Sequence, residues 1–476
     1  MTFVGRQREL DELARLLKDV QRGRREDRGI AVALRGRRRV GKSRLATELI
    51  ARAGLPSLYF QAARGANPTA ELAAFAEAIA SSTLPGAAVA AGNTPTTLTA
   101  ALTLLAAALP DSGPSIVVID EVPWLLEGMP GGAGELQRVW DRLLAAKPVL
   151  LLLLGSDLAM MEKLRAVDQP FHGRSTELVL DVLTPRDVAA MTGLAPFDAF
   201  DAFLITGGLP LVAQEWEPGM TREDFLRESF TRSTSALVVS GARVLDAEFP
   251  EATYARAVLT AIGGRGERTF TGIHGSIAGG SMSNSTLTAN LRTLIAKRVV
   301  AADEPLSTRP AVKDRRWRVA DPALRFWLAF VEPALGEVDR ERPDLAMARV
   351  ERSYESWRGR AIEPVVRAAL SRMLPDSVWP GVTEVGGWWP RTNSPEIDLV
   401  GADRAPAGRV AFVGAIKWRE TGTVTGAEIT GLSADALRVP GVNVATPLVT
   451  VSGSRKTRDR RIRHSWNAAD LLTAWR

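Results

Sequence analysis

The sequence predicts an α/β chain that opens with a parallel sheet of P-loop type and closes with a second, smaller α/β domain. Three observations lead there. Short all-apolar runs alternate with helical periodicity through the first 183 residues, the signature of parallel βαβ units with both faces covered. One of these runs leads directly into Gly-Arg-Arg-Arg-Val-Gly-Lys-Ser at 36–43, which opens a helix. From residue 184 helices dominate, and a mixed helix and strand pattern returns after residue 353.

Element by element, Arg8 to Val20 puts Leu10, Leu13, Leu16, Leu17 and Val20 on one helical face. Gly29 to Leu34 is a buried strand, and Arg44 to Ala53 is the helix after the glycine-rich loop. Leu58 to Gln61 is the next strand, and the Ala/Leu-rich stretches Leu72 to Ala80 and Thr97 to Leu109 are helices. Ile116 to Ile119 is a strand ending at Asp120-Glu121. Glu135 to Ala145 is a helix and Val149 to Leu154 a further strand. Pro185 to Met191, Phe197 to Thr206 and Arg222 to Ser229 make a helical subdomain. Tyr254 to Leu328 reads helix, helix, helix, strand, polar tip, strand. Its third helix runs from Ser283-Asn284-Ser285 to Lys297, its strands cover Val299 to Ala302 and Arg316 to Ala320, and its tip covers Glu304 to Asp314. The charged stretch Glu332 to Arg352 reads as a connector. The domain boundaries follow as 1–183, 184–245, 246–332, 333–352 and 353–476.

Composition narrows the chemistry. At roughly 150 residues per domain, 476 residues suggest about three domains. There is no cysteine, which removes disulfides, thiol catalysis, iron–sulfur clusters and Cys-based zinc sites. His172, His274 and His464 are too far apart for a His-Glu-x-x-His helix, and no Gly-x-Ser-x-Gly elbow is present. The N-terminus lacks an apolar signal region, and the purest apolar run, Pro148 to Leu154, is too short to span a bilayer. The expectation is a cytoplasmic protein without a membrane segment. The net charge of +6 is mild. Its basic clusters, Arg22 to Arg44 and Arg455 to Arg463, fit either an anionic partner or a solvated surface.

The motif at 36–43 carries the clearest chemistry. Gly36 and Gly41 let backbone wrap closely around phosphates, and loop amides and the helix N-terminus face the anion. Val40 and Arg44 belong to the same cradle. Lys42 reaches the β- and γ-phosphates, and Ser43 is a ligand for Mg²⁺. Ser115-Ile-Val-Val-Ile-Asp120-Glu121 supplies the second part: Asp120 holds the metal and Glu121 orients or deprotonates the attacking water. Ser156, or Asp157 beside it, stands at the end of another strand as a γ-phosphate sensor or a simple helix cap. Arg174 is a candidate phosphate-contacting arginine, in its own chain or a neighbour's, or a surface arginine.

These stretches together resemble the archaeal-type P-loop ATPases of the AAA+/STAND-related group, in the branch with a C-terminal restriction-endonuclease-like, DUF234-type domain. The resemblance is carried by FVGRQREL at 3–10, GRRRVGKSRL at 36–45, VVIDEVPWL at 117–125, LLGSDLAMM at 153–161, FHGR at 171–174, TGGLPL at 206–211, DPALRFW at 321–327, PEIDLV at 395–400 and GAIKW at 414–418. It implies a P-loop NTPase parallel sheet with a helical lid, a winged helix and a C-terminal α/β restriction-endonuclease-like domain. ATP with Mg²⁺ is the implied ligand, set between the α/β domain and the lid. Val4, Gly5 and Arg6 would lie near the adenine, and Gly207, Gly208 and Pro210 would form the nucleotide-facing turn of the lid. On the winged helix, Ser285, Thr286, Thr288, Arg292 and Lys297 mark the face that would enter a DNA major groove. Interdomain packing is the other reading of that unit.

Metal-dependent nucleases of the implied C-terminal fold use an Asp at one strand end and an acidic-x-Lys triplet on the next. Asp398 and Lys417 match, and Glu363 matches an extra carboxylate on the preceding helix. The triplet here is Ala415-Ile416-Lys417, and alanine cannot ligate a metal; Glu396, on the same strand face as Asp398, is the available substitute. The expectation is therefore a retained but inactive nuclease fold. Trp388, Trp389 and Trp418 are read as core packing or as base-stacking platforms. The functional expectation is an ATP-binding protein with slow Mg²⁺-dependent ATPase activity acting as a switch, coupled to DNA or to a protein partner, with oligomers open. The alternatives are an ATP-regulated metal-dependent DNA nuclease and an ATP-stabilised scaffold without turnover.

Overall fold

The computed structural model describes residues 3–23, 28–156, 161, 173–248, 253–277, 282–309 and 312–475. It divides into two compact units, Met1–Val182 and Leu183–Arg476.

The first unit has a five-stranded sheet in the order β2-β3-β4-β1-β5, from β1 (Ile30–Arg35), β2 (Ser57–Gln61), β3 (Ser115–Asp120), β4 (Val149–Gly155) and β5 (Ser175–Val179). Every pairing is parallel. Strand alternation splits the apolar runs between two cores. Leu150, Leu152 and Leu154 join Val32 and Val118 on the face covered by α1 (Gln7–Arg22) and α2 (Lys42–Ala53). Leu151 and Leu153 join Val117 and Ile119 on the face covered by α3 (Pro68–Ala80) and α4 (Leu98–Ala108). Burial on both faces explains why these strands read as unbroken aliphatic runs. The short helices α5 (Val122–Glu127) and α6 (Gly132–Val139) follow β3, and the segment Trp140–Leu144 continues α6 with π-type bonding. It is a parallel α/β sheet with the glycine-rich loop set between β1 and α2. The strand β5 was not foreseen: Ser-Thr-Glu-Leu-Val is only half-buried and has no apolar run to announce it.

The second unit begins with helices. They are α7 (Pro185–Thr192), α8 (Pro196–Thr206), α9 (Pro210–Ala213), α10 (Arg222–Thr231) and α11 (Ala236–Glu248). Local sequence explains the starts: Thr184 with Asp187, and Thr221 with Asp224, form reciprocal capping boxes. Next come α12 (Thr253–Ile262), α13 (Phe270–Ser276), α14 (Asn284–Ala296) and an antiparallel pair, β6 (Val300–Asp303) with β7 (Arg316–Val319). Then α15 (Pro322–Phe326) runs into a π-type turn over Trp327–Val331, and the stretch read as a connector, Glu332 to Arg352, is itself largely helical, with α16 (Leu335–Val338) and α17 (Pro343–Glu351). The 20-residue α18 (Tyr354–Met373) leads to a mixed sheet in the order β12-β11-β10-β9-β8. Its strands are β8 (Glu384–Trp388), β9 (Ile397–Ala402), β10 (Val410–Lys417), β11 (Leu448–Ser452) and β12 (Ile462–Trp466); β8, β9 and β10 pair antiparallel, and β10, β11 and β12 parallel. The helices α19 (Gly426–Ala436) and α20 (Ala468–Leu472) complete it. Among the described residues no single helix is long and apolar enough to cross a membrane.

Two contacts lock this unit together. The loop between β6 and β7 does not end in solvent. Leu306 is buried in the same apolar cluster as Ile397, Val400 and Val413 of the C-terminal sheet. Its amide donates to the Gly387 carbonyl at 2.8 Å, and the Ala407 amide donates to the Ser307 carbonyl at 3.0 Å. The second contact is ionic. Arg358 on α18 donates to Asp201 on α8 at 2.8 Å, and their side chains are 1% and 4% exposed. Burial pushes the Asp201 carboxyl up to about 6, against the pull of Arg358 and then Arg222.

Removing one member of such a pair strands a charge in the interior. Asp201→Ala should therefore destabilise this unit by about 3 kcal/mol, read as a lower denaturant midpoint. The pair replacement Asp201→Leu with Arg358→Met should recover most of that loss. Equal midpoints for wild type and Asp201→Ala would refute the tie.

Candidate functional site

The loop 36–43 leaves the end of β1 and runs into α2, so its placement is fixed by two buried elements. Positive φ at Arg39 (68°) and Gly41 (96°) is the backbone pattern that turns successive amides toward one side, a ready concavity for anions. Gly36 has a second reason to be glycine: a Cβ there would stand 2.4 Å from the Leu180 carbonyl oxygen. Val40 is buried in the core beneath the loop, and Arg44 is exposed on the first turn of α2. Lys42 is buried, and its ammonium donates to the carbonyls of Gly36 at 2.8 Å and Arg37 at 3.1 Å. The lysine thus closes the loop on itself, with its charge held where phosphate oxygens would replace the two carbonyls.

Asp120 ends β3 and is 2% exposed. Its Oδ2 accepts from Ser43 Oγ at 2.6 Å and from the Tyr59 hydroxyl at 2.5 Å, and its Oδ1 accepts from the Glu121 amide at 2.9 Å. A hydroxyl and a carboxylate this close are hard oxygen donors suited to Mg²⁺, which keeps waters in its remaining positions. The residues therefore fit the ion. Ser43 and Asp120 would hold it, and it would supply charge neutralisation at the phosphates. Tyr59 was not foreseen from the sequence. It sits on β2 beside β3, and the only available signal was a hydroxyl-bearing residue in a strand neighbouring the acidic one. Burial, then the Asp120 carboxylate, pushes its phenol well above the usual range, so it remains a proton donor to Asp120.

Glu121 adopts a left-handed backbone conformation (φ 55°), unusual for a non-glycine and a strained setting typical of functional positions. Ser156, at the end of β4, donates from Oγ to both carboxylate oxygens of Glu121 at 2.9 Å, and from its amide to Oε2 at 3.4 Å. Ser156 is thus a clamp on the acidic side chain. Asp157 and His172 lie outside the described residues.

Other expected site residues are placed as follows. Gly5 (φ 78°) and Arg6 (φ 61°) form a consecutive left-handed turn, with Val4 half-buried before it. Arg6 is a strut. Its guanidinium donates to the carbonyls of Val40 at 2.9 Å and Asp181 at 2.5 Å, tying the N-terminal turn to the phosphate loop and to the end of β5. Arg174 forms a two-pronged pair with Asp141 at 2.7 and 3.0 Å. Gly207 and Gly208 both take positive φ, and a Cβ would meet the Ala323 amide nitrogen and the Leu183 carbonyl oxygen, each at 2.2 Å. Their smallness serves packing within the second unit, and Pro210 starts α9.

The nuclease-like residues are not assembled for metal. Asp398 Oδ2 accepts from the Ile416 amide at 2.8 Å, Glu363 accepts from Arg367 at 3.0 Å, and Glu396 accepts from Arg316 at 2.7 Å. Glu396, Asp398, Ala415 and Lys417 line one small cavity, and Ala415 also packs in the apolar cluster. Among the described residues no cluster of three or more His, Asp or Glu side chains could hold a metal. The three carboxylates of the remnant are each engaged by another group, and Ala415 offers no ligand. The tryptophans are core residues: Trp388, Trp389 and Trp418 are 7%, 2% and 4% exposed, and Trp418 stacks on Phe197 at 5.7 Å. Base stacking on them is excluded by burial. On α14, Ser285 and Arg292 are exposed, while Thr286, Thr288 and Lys297 are half-buried.

Residues 327–429 match the DUF234 family, described as "Archaea bacterial proteins of unknown function". No curated protein matches the chain. Among solved structures, it is similar to a Walker-type ATPase of Pyrococcus abyssi, at 17% identity and TM-score 0.49, over 68% of this chain and 96% of that one. It is also similar to the ORC2 protein of Aeropyrum pernix in ADPNP–ADP complexes, at 15% identity and TM-score 0.44, over 72% and 95%. A third is the ORC1 protein of Aeropyrum pernix in complex with DNA, at 18% identity and TM-score 0.34, over 73% and 95%. The chain joins a parallel α/β sheet carrying a phosphate-loop motif to a C-terminal region, 327–429, that matches the DUF234 family model.

Proposed function

We infer that the chain binds ATP with Mg²⁺ in the 36–43 loop, hydrolyses it slowly, and uses nucleotide occupancy as a switch on its second unit. The observation that carries this reading is the hydrogen-bonded pair of Ser43 and Asp120 at 2.6 Å, with Glu121 clamped beside it by Ser156. These groups sit at the carboxyl ends of adjacent parallel strands, where α/β sheets bind ligands. Lys42 would leave its loop carbonyls for the phosphates, and Glu121 would orient the attacking water. ATP rather than another nucleotide rests on the family resemblance.

Two restraints support a slow basal rate. Both oxygens of Glu121 are engaged by Ser156. Arg174, the candidate phosphate contact in its own chain or in a neighbouring copy of an oligomer, is engaged by Asp141. The three helices and hairpin of the second unit support a winged-helix reading, and the C-terminal sheet a restriction-endonuclease-like one. The burial of Leu306 favours interdomain packing for the wing. The exposed Ser285 and Arg292 leave α14 as the face for DNA, with a protein partner as the other target. A cytoplasmic location goes with this reading.

Phosphate release should require Mg²⁺ and vanish in Lys42→Ala. Glu121→Gln should keep ATP binding and lower turnover by about 10²–10⁴; wild-type turnover in Glu121→Gln would remove Glu121 from the mechanism. ATP binding without phosphate release in the wild type would favour the scaffold.

Asp141→Ala should free Arg174 and raise turnover by roughly tenfold, a fraction of what a fully placed arginine supplies. Adding Arg174→Ala should cancel the gain. An unchanged rate in Asp141→Ala would show that Arg174 has no such role.

A further inference from the structure

A cavity of about 400 Å³ in the second unit is walled by groups whose charges do not balance. It is lined from the segment before α13, from β7, α15 and α18, and from the connection between β8 and β9. Each carboxylate of its wall has an arginine partner. Glu267 and Glu396 are held by Arg316 at 3.4 and 2.7 Å, and Glu363 by Arg367 at 3.0 Å. Three arginines of the same wall, Arg268, Arg325 and Arg360, have no carboxylate partner among the described residues.

Arg325 is the informative one. It lies in the stretch Asp321-Pro-Ala-Leu-Arg-Phe-Trp327, whose other members have structural roles. Asp321 caps α15 by accepting from the Leu324 amide at 2.8 Å, Pro322 occupies the first turn, and Leu324, Phe326 and Trp327 are buried. Arg325 is also buried, at 4% exposure, yet it makes only long hydrogen bonds to backbone carbonyls among the described residues, Gly264 at 3.4 Å and Arg360 at 3.3 Å. Burial, and then the charge of Arg318, pulls it down to about 10, so it is still a cation at neutral pH. Glu267, Glu363 and Asp303 act on it only from beyond ion-pair distance, and a buried guanidinium with no carboxylate in direct contact is unfavourable unless something closer supplies the negative charge.

We propose that this cavity binds a phosphate-bearing anion, with Arg325 as the buried anchor and the exposed Arg268 and Arg360 as rim contacts. A guanidinium presents a planar fork of donors that matches phosphate oxygens in pairs, and several converging forks select a polyanion over a single carboxylate. The paired glutamates remain acceptors for hydroxyl or amino groups on the same ligand. The site shares no residue with the 36–43 loop.

The test uses the full chain carrying Lys42→Ala, so that the nucleotide loop does not compete, and titrates pyrophosphate by calorimetry. One binding event per chain is expected, weakened at least about tenfold in Arg360→Ala and in Arg325→Met, the loss expected for one charge-assisted bond. Arg325→Met should keep or raise the melting temperature, because it removes the buried charge; this separates lost binding from lost folding. Displacement of pyrophosphate by a short single-stranded oligonucleotide assigns the phosphate to a nucleic-acid backbone, and its failure to displace assigns it to a free small molecule. Absence of pyrophosphate binding, or binding unaltered in both variants, overturns the proposal.

Discussion

One buried carboxylate organises the phosphate end of the first unit. Asp120 accepts three hydrogen bonds from three places in the chain: Ser43 at the start of α2, Tyr59 on β2 and the Glu121 amide next to it. A carboxylate buried this deeply is tolerated only when its lone pairs are filled. These donors fill them, and in doing so they fix the hydroxyl that would ligate Mg²⁺ and the backbone turn that carries Glu121. The loop on the other side depends on the same logic. Lys42 is satisfied by two loop carbonyls, and Arg6 holds the Val40 carbonyl from behind. The loop, the Ser43–Asp120 pair and the Glu121 turn are thus held in place by the chain's own hydrogen bonds.

Restraint is the second theme of this site. The proposed function gives chemical roles to Glu121 and Arg174, and each already has a strong partner, Ser156 and Asp141. In the second unit, the Leu306 loop and the Asp201–Arg358 pair join helices, hairpin and C-terminal sheet into one compact body. A change felt by one part of that body has a physical route to the others, because such packed contacts do not deform gradually.

What could be read in the sequence divides along physical lines. The placing of the 36–43 loop between β1 and α2, and of Asp120-Glu121 at the end of β3, was legible because the motifs carry fixed residue types at fixed spacing beside apolar runs. The central strands were legible because burial on both faces leaves unbroken aliphatic runs. The edge strand β5 was not, since a half-exposed strand has no such run. Tyr59 and Arg6 were missed in role because their partners are distant in sequence and, for Arg6, are backbone carbonyls that any residue could supply. The Ala415 departure was visible in the triplet itself, but that Glu363 and Glu396 turn to Arg367 and Arg316 needed three dimensions. For the tryptophans of the C-terminal region the sequence favoured core packing over base stacking, and their burial agrees with it.

The central claim is that Asp120 makes this loop a Mg²⁺-dependent phosphate site. Single-turnover hydrolysis of ATP by excess full-length chain tests it most directly, comparing Mg²⁺ with EDTA and wild type with Asp120→Asn. The account predicts phosphate release only for the wild type with Mg²⁺. Release at the same rate in EDTA, or in Asp120→Asn, would contradict it.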